Sequence, residues 1–240
     1  MTPLDRFRLE KAAADCGFEM VPVEHEGGLV LRSAKFPESI VVRPFGLSTF
    51  FVTAANSLML DASDGATSVE LDGYGALYDA LSTAAAHART LPNRVADAFR
   101  RDTADLPRAT EAERLVVQRV GQNLFRSALL DYWQGQCCIT GLDIPELLRA
   151  SHIKPWASCN SDDDRLDVFN GLLLAPHVDA LFDGGWISFA DDGCILISIE
   201  LSGEAQARLA VSKKWCARAL KVEHCRYLAF HRRHRFRQSS

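Results

Sequence analysis

Three short stretches in the second half of the chain hold the residues best suited to chemistry: Ser151-His152-Ile153-Lys154-Pro155-Trp156, Asn170-Gly171-Leu172-Leu173-Leu174, and His177-Val178-Asp179-Ala180-Leu181-Phe182-Asp183. A histidine titrates near neutrality and can take a proton from water. Asp179 and Asp183 stand four residues apart, so on a helix both carboxylates share one face about one turn apart, and oxygen ligands of this kind suit a hard cation such as Mg²⁺. Asn170 can hold a loop or the imidazole with its amide. Together these groups supply what metal-assisted hydrolysis of a phosphodiester needs: an activated water, and a cation to carry charge on the phosphoryl and leaving oxygens. His177 is a further ligand candidate, although a helix turns it about 200° away from Asp179. Lys154, beside the histidine, could stabilise the transition state.

The elements around these residues follow from pattern. Arg149 to Ile153 reads as a first strand, Asn160 to Asp164 as a polar loop, Asp167 to Ala175 as a returning strand, and Pro176 to Phe182 as a helix with proline at its start. Trp186 to Ala190 and Cys194 to Ile199 form a hairpin across Asp191-Asp192-Gly193. Upstream, Glu111 to Trp133 is a long helical pattern that carries Arg126, a residue placed to pair with an acid or touch a phosphate. Leu142 to Leu148 reads as a short helix. Trp133, Trp156 and Trp186 are expected in the core, with Trp156 also placed to shield the site.

With these elements laid out, His152, Asn170, Asp179 and Asp183 fall into a pattern that resembles the HNH endonuclease superfamily, in the branch found at the C-terminus of restriction-type and uncharacterised bacterial proteins. The resemblance spans roughly residues 112 to 236, through Gly121-Gln122-Asn123-Leu124-Phe125-Arg126, Cys138-Ile139-Thr140-Gly141 and Tyr227-Leu228-Ala229-Phe230-His231. It implies a ββα-metal fold with His152 as general base, Asn170 as its positioner, and Asp179 and Asp183 in the metal-binding positions. It further implies one Mg²⁺ or Mn²⁺ per site and DNA as partner, with double-strand cleavage calling for a homodimer. Two departures stand out. Ser151 occupies a position where many relatives carry a metal ligand. Of the paired thiolates that bind zinc in many relatives, only Cys138 has a counterpart here, with Gly141, Ala175 and Val178 at the other places, so no structural zinc is expected and Cys137 and Cys138 read as buried apolar residues.

The whole chain has 240 residues, 48% hydrophobic and 24% charged, enough for two modest cores. An α+β organisation is expected, with an N-terminal α+β domain at 1–105 built on an antiparallel sheet and the nuclease-like domain at 111–240, flanked by helices. Thr2 to Cys16 is a helix closed by Gly17. Strands follow at Phe18 to His25, Gly28 to Ser33, Ser39 to Arg43 and Ser48 to Thr53, then a helix from Gly75 to Thr90 and a second to Arg101. Asp61, Asp64 and Asp72 read as a polar loop. This half offers no catalytic grouping, and its fusion to a nuclease suggests target recognition, sensing or dimerisation.

The net charge of −4 argues against a nucleic-acid partner, yet from Arg208 onward ten Lys or Arg face a single acid, Glu223. Lys213, Lys214, Arg232, Arg233 and Arg235 are therefore phosphate-contact candidates, and His224, His231 and His234 fall on the same basic helix face. Seven cysteines without disulfide-type spacing, and no apolar leader, point to a reducing cytoplasm. No run of about 18 apolar residues is present, so no membrane span is expected. Two other functions compete with an active nuclease: a weakly cleaving DNA-binding or regulatory module, and a nuclease effector gated by a ligand.

Overall fold

The computed structural model describes residues 1–46, 48–60, 66–91 and 93–237. The chain divides into two units, Met1–Leu91 and Pro92–Ser240.

In the first unit, helix α1 (Pro3–Asp15) starts on a capping box, in which the Thr2 hydroxyl accepts the Asp5 amide and the Asp5 carboxylate accepts the Thr2 amide. Gly17, at φ +98°, ends it. Strands β1 (Val23–His25), β2 (Gly28–Leu31), β3 (Ile40–Phe45), β4 (Thr49–Ala54) and β5 (Ser68–Asp72) form an antiparallel meander in sequence order. Glu26 and Gly27 both have positive φ, the two-residue turn whose twist matches the strands it joins. One face carries Leu29, Leu31, Ile40, Val42, Phe50 and Val52, all buried. Leu9, Ala12 and Ala13 of α1 and Leu77, Leu81, Ala84 and Ala85 of α2 (Gly73–Thr90) join them in one core, the alanines allowing close helix approach. The sequence missed β5, because its alternation of Ser, Glu and Asp with Val69 and Leu71 resembles a polar loop. Asp72 ends this strand, whereas Asp61 and Asp64 lie outside the described residues.

The second unit begins earlier than the sequence suggested. Helix α3 (Arg94–Asp102), which the sequence pattern placed in the N-terminal half, turns Phe99 toward Gly121 of α4 (Glu111–Tyr132), and its Arg100 pairs with Asp163. A second capping box, Thr110 with Glu113, starts α4. Strand β6 (Arg149–His152) pairs antiparallel with β7 (Gly171–Leu174), Arg149 opposite Leu174 and His152 opposite Gly171. Between them come α5 (Asp162–Leu166) and a 3-10 turn at Val168–Asn170, where the sequence had suggested a loop and a longer strand. Ser161 caps α5 by accepting the Asp164 amide, and the Asp167 carboxylate accepts that of Phe169; these side-chain bonds compete with extended backbone. The expected helix at 142–148 is only a turn.

Helix α6 (Pro176–Asp183) begins at proline, and β8 (Ile187–Phe189) pairs with β9 (Ile195–Ile197) across Gly193 at φ +83°. Helix α7 (Gly203–Arg208) and helix α8 (Val222–His234) complete the unit. No helix among the described residues is long and apolar enough to cross a membrane. The protein is thus mixed helix and antiparallel sheet, as its sequence indicated.

Candidate active site

The β6–β7 hairpin ends where α4 presses on it. A Cβ on Gly171 would lie 2.6 Å from both Phe125 Cζ and Leu129 Cδ1, so only glycine lets α4 come this close. The consequence falls on its cross-strand partner. The His152 imidazole stacks on the Phe125 ring with centroids 3.9 Å apart and meets the edge of Trp156 at 5.8 Å. Its Nε2 lies 2.8 Å from the Arg165 carbonyl oxygen, an acceptor only, so the proton sits on Nε2 and Nδ1 keeps its lone pair. Burial lowers the His152 pKa below its usual value, while the Arg165 carbonyl works in the opposite direction. At neutral pH the ring is therefore an uncharged base held in one tautomer.

Asn170 is fully buried, and its amide hydrogen-bonds elsewhere than to the imidazole. Its Oδ1 accepts the Lys154 amide at 2.7 Å, and its Nδ2 donates to the carbonyls of Lys154 at 3.1 Å and Asp164 at 3.0 Å. The backbone adds Ile153 N–H to Asn170 O at 2.9 Å. One amide thus fastens the turn after His152 to both the return strand and α5, and Asn170 acts as a positioning residue. Lys154 is not directed at the site: its ammonium pairs with Asp164 at 3.1 Å and lies over the Phe230 ring. Burial works to raise the Asp164 pKa, but hydrogen bonds from Lys154 and Tyr227 outweigh it and hold the group below the usual carboxylate value. Its neighbour Asp167 accepts the Tyr227 hydroxyl at 2.9 Å and Arg226 at 2.6 Å, which ties α8 to the hairpin.

Of the three metal-ligand candidates, only Asp179 opens into the cleft with His152. This cleft, of about 320 Å³, is also bordered by Gln122, Asn123, Arg126, Arg149 and Ala150. Burial raises the Asp179 pKa, as does the Asp183 charge, against the hydrogen bond from Ser151 and the more distant Arg149. Ser151, lacking ligand character, therefore serves as an orienting hydroxyl for Asp179. Asp183 is turned to solvent, 3.6 Å from Arg235, and its backbone carbonyl accepts from the same guanidinium. His177 faces Trp215, with ring centroids 6.0 Å apart. Among the described residues no three His, Cys, Asp or Glu side chains converge as a ligand shell. A half-buried carboxylate with no cationic side chain in contact among the described residues, beside a neutral imidazole, does fit one divalent ion completed by water and phosphate oxygens.

The proposed nucleic-acid contacts separate in the same way. Arg126 borders the cleft, yet its guanidinium donates to the carbonyls of Leu148 at 2.6 Å and Pro145 at 2.7 Å and so braces the loop before β6. Arg232 is likewise engaged, with Phe189 O and Asp191, and Arg235 with Asp183. Arg233, Lys213 and Lys214 are exposed. The basic helix face expected from His224, His231 and His234 is overturned. His231 is buried, with Nδ1 on the Ser188 hydroxyl, Nε2 on the Phe182 carbonyl and its ring stacked on Phe182; His224 packs among Tyr132, Trp133 and Phe169. Sequence reasoning missed Arg149, Gln122 and Asn123. Arg149 sits three residues before His152, and Gln122 and Asn123 one turn before Phe125 and Arg126, so the signal was proximity to recognised positions.

Cys137 lies in the core, where its sulfur accepts the amides of Thr140 and Ala175. Cys138 is buried beside it and burial drives its thiol pKa well up.

No curated protein matches the chain. Residues 137–190, from Cys137 through both strands of the hairpin and α6 to the end of β8, match the family described as HNH endonuclease. The histidine at the strand end, the buried asparagine on the return and the aspartate on the following helix all fall inside that segment, and on this ground residues 137–190 are a segment of the HNH endonuclease superfamily.

Proposed function

We propose that the second unit is a divalent-metal-dependent endonuclease that hydrolyses DNA phosphodiester bonds. The observation that carries this reading is the fixed tautomer of His152: with Nε2 bound to the Arg165 carbonyl and the ring clamped on Phe125, Nδ1 is left to take a proton from water at the edge of a cleft that also holds Asp179. Asn170 keeps the turn after His152 from slackening, which holds the base in place during proton transfer. Asp179, oriented by Ser151, is the residue that would hold Mg²⁺ or Mn²⁺. When bound, such a cation neutralises charge on the phosphoryl and leaving oxygens. Arg149, exposed at the cleft and without an ion pair among the described residues, is placed to meet a non-bridging phosphate oxygen.

The first unit, with a core of its own and no catalytic grouping among its described residues, supplies target selection in this reading, as in a restriction or defence enzyme. The weakly cleaving alternative draws on Asp179 being the single carboxylate in the cleft among the described residues. Supercoiled plasmid incubated with Mg²⁺ or Mn²⁺ separates the two. The parent protein should nick it and His152→Ala should not, whereas equal nicking by both would sink the assignment. Comparing methylated with unmodified plasmid then tests target selection; equal rates on both would remove base modification from the role given to the first unit.

A further inference from the structure

We propose that Cys194 and Cys216 form a reversible disulfide that staples the intervening segment, with α7 and Lys213-Lys214, to the β8–β9 hairpin. The two residues lie 22 apart in sequence and face each other as an antiparallel bridge. The backbone bonds run on either side of them, Ile195 N–H to Trp215 O at 3.0 Å and Ala217 N–H to Gly193 O at 2.9 Å. The pair itself exchanges none, which makes it the narrow type of antiparallel pair, with Cα atoms about 4.5 Å apart, inside the range of about 4.4–6.8 Å that disulfides use. The sulfurs are 3.0 Å apart and both residues are exposed. Asp192 fixes the Cys194 amide at 2.9 Å, so the approach is built into the turn.

No other cysteine competes. Cys16, Cys137, Cys138 and Cys159 are buried, and the Cys225 sulfur lies on the Asp191 carbonyl at 3.8 Å. The Cys194 thiol pKa is pushed up to about 11, first by its hydrogen bond to Cys216 and then by desolvation and Asp192. Either sulfur of the exposed pair is open to an oxidant. With glutathione disulfide, the thiolate of one cysteine attacks one sulfur and expels a glutathione thiolate. The thiolate of the other cysteine then attacks the Sγ of the first and expels the second glutathione, and the two protons leave with the two glutathione thiols. Trp215, next to the staple, packs toward His177 on α6, so the bond would fix the chain beside the helix that carries Asp179.

The test uses the reduced full chain and glutathione disulfide. The intact mass should fall by two hydrogen atoms, with a peptide containing Cys194 joined to one containing Cys216, and dithiothreitol should reverse both. The thermal midpoint followed by tryptophan fluorescence should rise on oxidation by on the order of 10 °C, from the loop closed in the unfolded chain. Cys194→Ser and Cys216→Ser should each abolish the mass loss and the rise, and Cys225→Ser should preserve both. A lasting glutathione adduct, a cross-link to Cys225 or a disulfide between chains would overturn the proposal. None of these readouts depends on cleavage, so the result stands apart from the nuclease assignment.

Discussion

Replacing Asn170 tests how the site is held. Asn170→Ala leaves three backbone groups without their partner: the Lys154 amide and the carbonyls of Lys154 and Asp164. A buried polar group left unpaired costs about 1–3 kcal/mol, which sets a ceiling of about 9 kcal/mol. Lys154 and Asp164 are only partly buried, so water entering beside them lowers this to about 3–4 kcal/mol. Asn170→Asp is the sharper probe. It has the same shape and opens no cavity, but it sets a carboxyl group against two carbonyl oxygens that now receive an amide. It should destabilise at least as much. All four tryptophans, Trp133, Trp156, Trp186 and Trp215, lie in the second unit, so intrinsic fluorescence in urea follows that unit alone. With a slope of about 1–3 kcal/mol/M, the midpoint should fall by about 1–4 M. Where the variant is still folded, plasmid nicking should drop by about 100-fold, because a displaced base loses its geometry. If Asn170→Asp unfolds at the parent midpoint, the network carries no energy and the positioning argument is wrong.

Other outcomes follow from particular residues. The His231 pKa is lowered to about 4, chiefly by burial, so the unfolded chain binds the extra proton between about pH 6.5 and 4. Stability of the second unit is therefore full above the unfolded value and lost as pH falls through this window, by about 3 kcal/mol, with His152 acting in the same direction. Urea midpoints at pH 7 and pH 5 measure this, and His231→Gln should flatten the difference; an unchanged slope would refute it. Cleavage should stay on its plateau through neutral pH and decline only below the ordinary histidine value, since His152 must be neutral to act. Arg149→Ala should weaken DNA binding and reduce the salt-dependence slope by about 1, as expected for one lost phosphate contact. An unchanged slope would place Arg149 outside the interface. Asp179→Asn should require far more Mn²⁺ for half-maximal nicking, whereas Asp183→Asn, turned toward Arg235, should not; equal effects would restore the two-carboxylate arrangement.

The sequence was most informative where local chemistry dictates local structure. The helix read from Thr2 and the long helix read from Glu111 are both present, and His152 ends the first strand of the hairpin, inside the strand read at Arg149 to Ile153. It was misleading where one residue type serves two ends. Asp183 shares a helix face with Asp179 by spacing, but its helix stops at once and the side chain leaves the cleft. His224 and His231 alternate with arginines and so read as a basic stripe, yet their neighbours in space are Phe169, Trp133 and Phe182, none of which spacing could supply. Lys154 stands beside the base in sequence and is drawn the other way by Asp164. Cys194 and Cys216 had no recognisable spacing because a long loop, not a motif, brings them together.

The tie between Asp167 and Tyr227 has one more consequence. The recognisable segment ends at residue 190, but the His152 ring inside it is stacked by Phe125 from upstream and its return strand is anchored by α8 from downstream. The stretch that bears the family signature is therefore smaller than the stretch that must fold for it to work. An excised 137–190 peptide would keep every signature residue and lose the two helices that hold them at working distance.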